Sequence, residues 1–351
     1  MDIAKIDTNF SIPSSVTRED LVWVEATDAR FALYGATQAN PYLRMPAEVA
    51  NTVSDGVMRL SKNTAGVRIR LRTNSPFVAI HAEWDQRCRM AHMPFLGISG
   101  FDLYRVRPML GEQAFVGSFV PWHENELGFE SIVETPFGMT DYVLNFPLYN
   151  NVTRLWIGLQ KGSQNETPAR YIHELPVVFY GSSITQGGCA SRPGNCYQNF
   201  LSRALDFDYV NLGFSGNGRA EDTMIEYLAG LKMLAFVSDY DYNAPNPEHL
   251  ERTHEKLYQA VRSAHPDLPY IMISKPNFKN NEENRARRCI IMRTYQNAIA
   301  SGDQKVYFLD GASVFAGEER DACTVDGCHP NDLGFYRFYQ ALLPVFETAL
   351  N

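Results

Sequence analysis

Val177-Val178-Phe179-Tyr180-Gly181-Ser182-Ser183-Ile184-Thr185-Gln186-Gly187-Gly188 is the stretch on which the fold turns. Its first four residues are continuously apolar, the pattern of a strand covered on both faces in a parallel sheet. A glycine and two serines then leave the strand and enter a helical segment. A hydroxyl on such a turn faces the crevice at the end of the sheet, and amides at the helix start point at any anion beside it. A capping or turn role for the serine fits the local residues equally well. The loop lacks the Gly-Lys-Ser/Thr ending of a P-loop.

Downstream, four more short apolar runs, 209–212, 234–237, 270–274 and 306–309, alternate with segments of helical spacing. Tyr197, Phe200, Leu201, Ala204 and Leu205 mark one helical face, and longer helices are expected over 250–263, 285–300 and 333–350. Five strand–helix units predict a flavodoxin-like three-layer α/β/α domain, with ligands at the carboxyl ends of the strands.

Upstream the period changes. Val67, Ile69 and Leu71 alternate with Arg68, Arg70 and Arg72, which predicts a strand with one dry and one wet face. Similar runs occupy 77–84, 101–106, 114–122, 129–134, 141–146 and 154–159, with almost no helical periodicity. An antiparallel, jelly-roll-like β-sandwich is therefore expected over 1–168, ahead of the α/β domain over 169–351, with the join near 161–174. A length of 351 residues fits two domains, and 45% hydrophobic with 21% charged residues is the balance of a globular chain.

Composition removes several functions. Lys plus Arg number 32 against 40 for Asp plus Glu, a formal net charge of -8 with no basic run. Nucleic acid and anionic membrane surfaces are thus poor partners. No stretch approaches the roughly 18 apolar residues of a membrane span. The opening MDIAKIDTNF has neither a basic n-region nor an apolar h-region, so no targeting signal is visible. The expected compartment is the cytoplasm, or the periplasm or exterior if a leader has been removed. Six cysteines include no C-x-x-C pair, which argues against a zinc ribbon or thioredoxin-type site. Cys189 with Cys196, and Cys323 with Cys328, lie close enough in sequence to bridge, but free thiols are favoured in a reducing compartment.

A nucleophilic serine needs a base. Of the eight histidines only His329 has an aspartate three residues earlier, in Asp326-Gly327-Cys328-His329-Pro330. The pair follows the fifth strand, so it belongs to another carboxyl-end loop. Asp326 at that spacing can accept the Nδ1 proton and leave Nε2 free to deprotonate a hydroxyl. A helix-capping Asp beside a surface His would give the same residues. His249 and His254 lack the H-E-x-x-H spacing of a zincin and are expected at the surface rather than on a metal. Two further loops, Asn211-Leu212-Gly213-Phe214-Ser215-Gly216-Asn217-Gly218 and Asp239-Tyr240-Asp241-Tyr242-Asn243-Ala244-Pro245, offer amide donors for an oxyanion, although each also suits an ordinary turn. The first lacks G-x-G-x-x-G spacing and is not a dinucleotide loop.

The order of these loops resembles the SGNH (GDSL-like) hydrolases, named for Ser, Gly, Asn and His in four sequence blocks. Gly181-Ser182-Ser183-Ile184-Thr185 looks like the first block, Gly216 and Asn243 match the second and third, and Asp326 with His329 matches the D-x-x-H of the last. The resemblance implies Ser183 as nucleophile and an oxyanion hole made by the backbone N–H groups of Ser183 and Gly216 and the side chain of Asn243. Gly100-Phe101-Asp102-Leu103-Tyr104 fits the G-x-D-L-Y signature of the β-domain that precedes the catalytic domain in one subfamily. Two departures stand out. Ser182 replaces the aspartate usual before the nucleophile, and the third block reads Asp-Tyr-Asp-Tyr-Asn, with Asn246 as a competitor for the asparagine role.

The expected activity is that of a serine esterase working through a Ser-His-Asp triad and an acyl-enzyme, with no metal or organic cofactor required. By analogy with bacterial carbohydrate esterases of this architecture, small O-acetyl esters of sugars are the expected substrate. A short-chain lipase or thioesterase is the nearest alternative. A glycan-binding module with a degenerate hydrolase domain, or a mononucleotide binder on the same sheet, are the others. Trp23, Trp84, Trp122 and Trp156 offer sugar-stacking faces but are more ordinarily core residues.

Overall fold

The run of alternating arginines forms the strand Arg68–Thr73 at the centre of the first half of the molecule. A computed structural model describes residue 6 and residues 15–37, 39–109, 112–121, 126–276 and 281–351, so Trp122 lies outside the described residues. Two antiparallel sheets face one another in this half. One has the order Leu21–Glu25, Arg154–Gln160, Phe77–Glu83, Gly128–Glu134. The other runs Asn165–Glu166, Arg68–Thr73, Thr140–Asn145, Phe101–Arg105, Phe115–Phe119, with Ala32–Tyr34 also paired to Arg68–Thr73. Val67, Ile69 and Leu71 point between the sheets and are buried with Ile80, Leu103, Leu144 and Ile157. This is the expected β-sandwich.

The second half is a five-stranded parallel sheet in the order Phe207–Gly213, His173–Gly181, Ala235–Asp239, Tyr270–Ile273, Val306–Leu309. Helices cover both faces, including Tyr197–Leu205, Asp222–Ala229, Pro247–Ala264, Glu282–Ala300 and Asp332–Ala349. The strand order is that of the doubly wound flavodoxin type, which opens its crevice beside the first strand. No helix among the described residues is long and apolar enough to cross a membrane. None of the six cysteines forms a disulfide.

Three expectations need correction. The face of Arg68–Thr73 read as wet is largely dry, with Arg68 and Arg70 only 1% and 3% exposed. The α/β domain packs against it and supplies the counter-charges. Arg68 bonds Asp208 and the Tyr171 hydroxyl, and Arg70 donates to Asp206 Oδ1 at 2.7 Å. A period-2 pattern reports two faces but not what covers the second one. On Tyr197–Leu205, Ala204 is exposed, while Gln198, Asn199 and Ser202 are buried because each bonds a backbone carbonyl. His254 is also buried rather than superficial. Its Nδ1 sits 2.9 Å from Thr294 Oγ1 on the neighbouring helix, and burial pulls its pKa down to about 3, so the ring is neutral.

The two domains interlock. Helices Ala47–Val53 and Asp55–Ser61, which carry too few turns to show a period, leave the sandwich and bury Ala50, Val57 and Leu60 against Val178, Leu212 and Met224 of the parallel-sheet domain. Packing thus crosses the join between the two halves of the chain. Asp102 of the Gly-Phe-Asp-Leu-Tyr signature works the same way. Its wholly buried carboxylate accepts from Asn145 Nδ2 at 2.8 Å in its own sheet and from Gly194 N–H at 2.7 Å across the junction.

Candidate active site

The strand His173–Gly181 delivers the chain to the crevice, and the short helix Ser183–Gln186 begins at once. Ser182 is its N-cap. The Ser182 hydroxyl accepts from Ile184 N–H at 3.1 Å, and the Ser182 N–H donates to Thr185 Oγ1 at 3.1 Å, a reciprocal capping box. Serine and aspartate cap helices about equally well, which explains why the departure at Ser182 leaves the turn intact. A Cβ on Gly181 would lie 2.1 Å from Thr185 Oγ1 and 2.2 Å from Asp239 O, so only glycine allows this closeness. Beneath the turn, Asp239 Oδ2 accepts from the Thr185 hydroxyl at 3.0 Å. Burial and the neighbouring Asp241 push the Asp239 carboxyl well above the ordinary carboxylate range.

Ser183 starts this helix with its Oγ 2.9 Å from His329 Nε2. His329 Nδ1 is 2.7 Å from Asp326 Oδ2, closing a serine–imidazole–carboxylate chain. The loop holds the carboxylate itself, because Asp326 Oδ1 accepts from Cys328 N–H at 2.9 Å and His329 N–H at 2.7 Å. Partial burial opposes the Asp326 charge. The bonds from the His329 ring and these amides outweigh it and hold the pKa at about 2. The carboxylate is therefore ionised at neutral pH, and it fixes the tautomer that presents Nε2 to the serine.

The other two loops converge on the same end of the sheet. Gly216 sits in an open turn at φ +71, a left-handed conformation that favours glycine, and Arg219 anchors its carbonyl. Asn243 Oδ1 accepts from Gly218 N–H at 3.1 Å, which ties the two loops together, and its Nδ2 donor takes no partner among the described residues. The N–H groups of Ser183 and Gly216 also take no partner among the described residues. Asn246, the competitor, is the N-cap of Pro247–Ala264 and spends its side chain on His249 N–H at 2.8 Å. Unspent donors beside a hydroxyl–imidazole pair are what stabilisation of a tetrahedral oxyanion requires.

Comparison with known proteins bears on this constellation. The GDSL-like lipase/acylhydrolase family model matches residues 174–347, and the model for the GxDLY N-terminus of SGNH-type esterases matches residues 21–164. The chain belongs to the SGNH (GDSL-like) hydrolases. It is by that membership a carboxylic ester hydrolase. A Bacteroides ovatus protein described as a GDSL-like lipase shares 28% identity over 94% of this chain and 98% of its own, at a TM-score of 0.84. A salicylyl-acyltransferase from a tetracycline biosynthetic pathway shares the fold at 20% identity, covering 95% and 100% of the two chains with a TM-score of 0.76. A family two carbohydrate esterase from Cellvibrio japonicus does so at 13% identity, 94% and 98% coverage and a TM-score of 0.59. No curated protein gives a significant match.

In this SGNH hydrolase the β-domain builds part of the site, which the sequence did not reveal. Arg44 is 1% exposed and donates only to carbonyls, those of Leu60, Asn63, Asn211 and Gly213, so it staples the start of the Gly216 loop. Burial lowers its pKa to about 9, still cationic at neutral pH. Tyr149 donates to Ser183 O at 3.2 Å from below. His92 brings its ring centroid 5.8 Å from that of His329. Donor atoms of His92, Asp326 and His329 lie within 4.8 Å of one another, a set that could hold a metal ion. Two of the three already serve the chain to Ser183, so an ion there would compete with it. The one sequence signal for these contributors is the lone arginine in an apolar segment at 43–46; a histidine in a long loop carries none.

Proposed function

We propose that this SGNH hydrolase is a serine esterase that removes small acyl groups, O-acetyl above all, from carbohydrates. The hydrogen-bonded chain from Ser183 through His329 to Asp326 carries the reading, since these three groups at 2.9 and 2.7 Å have the chemistry to generate an alkoxide-like nucleophile. His329 Nε2 takes the Ser183 proton as Oγ attacks the ester carbonyl. The carbonyl oxygen gains the charge, and the Ser183 N–H, Gly216 N–H and Asn243 Nδ2 groups receive it. Each such donor is worth about 3 kcal/mol of barrier. The imidazolium, supported by Asp326, then protonates the departing sugar oxygen and leaves an acyl-serine. Water repeats the sequence: His329 accepts its proton, the hydroxide attacks the acyl carbon, and Ser183 leaves with the proton returned.

The carbohydrate part of the proposal draws on the architecture shared with family two carbohydrate esterases. The test is a panel of acetylated oligosaccharides, a chromogenic acetyl ester and octanoyl esters, run on the wild type beside Ser183→Ala. Acetylated sugars should be the best substrates and the variant inactive on all. Faster cleavage of octanoyl esters would overturn the substrate, and retained turnover by the variant would overturn the mechanism.

A further inference from the structure

A cavity lies at the other end of the parallel sheet. Tyr171 and Asp206 line it, and they immediately precede the strands whose far ends carry Ser183 and the Gly216 loop. The rise of such a strand puts the cavity about 25 Å from the triad. Its volume is about 340 Å³, and both domains build it.

In a chain of net charge -8, this cavity is cationic. Arg68, Arg70, Arg105, Arg107 and Arg203 line it, and Asp206 is the one carboxylate among the lining residues. Asp206 is already committed on both oxygens, to Arg70 and Arg107. Arg68 is matched by Asp208 and Arg105 by Glu112, both from outside the lining. Arg203 has no carboxylate partner among the described residues. Its guanidinium lies over the rings of Tyr104 and Phe200, 4.2 and 4.9 Å from their centroids, and its Nη1 is buried without a hydrogen bond. The remaining walls are aromatic: Phe200, Tyr336 and Tyr339 sit with centroids 5.6–5.7 Å apart.

We infer that this cavity binds a small organic anion, a carboxylate carried on a ring, with Arg203 as its counter-ion. A planar guanidinium favours a carboxylate's two oxygens, and the aromatic wall favours a flat body beside it. The volume falls in the range of small-molecule sites and suits one ring. Contacts from Arg105 and Arg107 on one domain and Arg203 and Tyr339 on the other would let the ligand bridge the junction.

The test is calorimetry and thermal unfolding of the full chain at low salt with D-glucuronate, benzoate, glucose and inorganic sulfate. The ring carboxylates should titrate with one-to-one stoichiometry and raise Tm, while glucose should do neither. Arg203→Gln should weaken binding by about tenfold, the loss of one charge-assisted contact. Tyr336→Ala, at a position 45% exposed, should weaken it less. Turnover of a chromogenic acetyl ester should stay unchanged in both variants, so failure here is distinguishable from failure of the esterase reading. Absence of binding at millimolar carboxylate, sulfate binding as tightly as benzoate, or unweakened binding by both variants would overturn the inference.

Discussion

The two ends of the parallel sheet use polar groups in opposite ways. At the carboxyl end, Ser183 opens a short helix while Gly216, Asn243 and His329 stand on loops, and several donors have no partner among the described residues. At the amino end, Arg68 and Arg70 project from a regular strand and have their charges paired with Asp208 and Asp206, with further bonds to backbone carbonyls. Paired charges hold two domains in one arrangement. Unpaired donors on a braced turn would, on the proposed mechanism, receive the charge that a reacting ester develops. Of the five arginines lining the cavity there, Arg203 alone forms no salt bridge among the described residues, and for that reason it marks the proposed second site.

That contrast can be broken by mutation, and the largest effect is expected at the turn. Ser183→Ala should lower kcat by about 10⁴-fold or more on acetyl esters, with unchanged circular dichroism. Asp326→Asn should cost about 10⁴-fold by releasing the tautomer. The wild-type pH profile sharpens this point. The Asp326 pKa is depressed from 3.8 to about 2, so its support for fold and relay is fully present above pH 4 and disappears as pH falls toward 2.

At the other end the loss should be in stability. Arg68→Ala, which strands Asp208 near the junction, should destabilise by about 3–5 kcal/mol in chemical denaturation while the folded fraction keeps its kcat. Asn243→Ala should lower kcat by about 10²–10³-fold with little change in KM, the signature of a donor used only in the transition state. Asn246→Ala gives the smallest effect, about 1 kcal/mol of lost capping with activity intact. If Asn246→Ala proves the more damaging to kcat, the oxyanion assignment moves to that residue.

Much of this was legible in the sequence because it depends on local rules. Continuous apolar runs distinguish the parallel strands from the alternating ones. The i−3 spacing of Asp326 and His329 closes a contact within one loop. What escaped depends on partners distant in sequence. The wet face of 67–72 is dry because Asp206 and Asp208, some 140 positions later, come to rest against it. Arg44, Tyr149 and His92 reach the site through the interlock of the domains, which no period or motif records. Ala204 and His254 fail for the same reason, since burial on a helix follows the neighbour it meets.

The central claim is that Ser183 is the nucleophile activated by His329. A fluorophosphonate followed by peptide mass spectrometry tests it most directly. The wild type should carry a single adduct on Ser183, formed much more slowly in His329→Ala and absent in Ser183→Ala. An adduct on another serine, or labelling at the wild-type rate without the imidazole, would contradict the account.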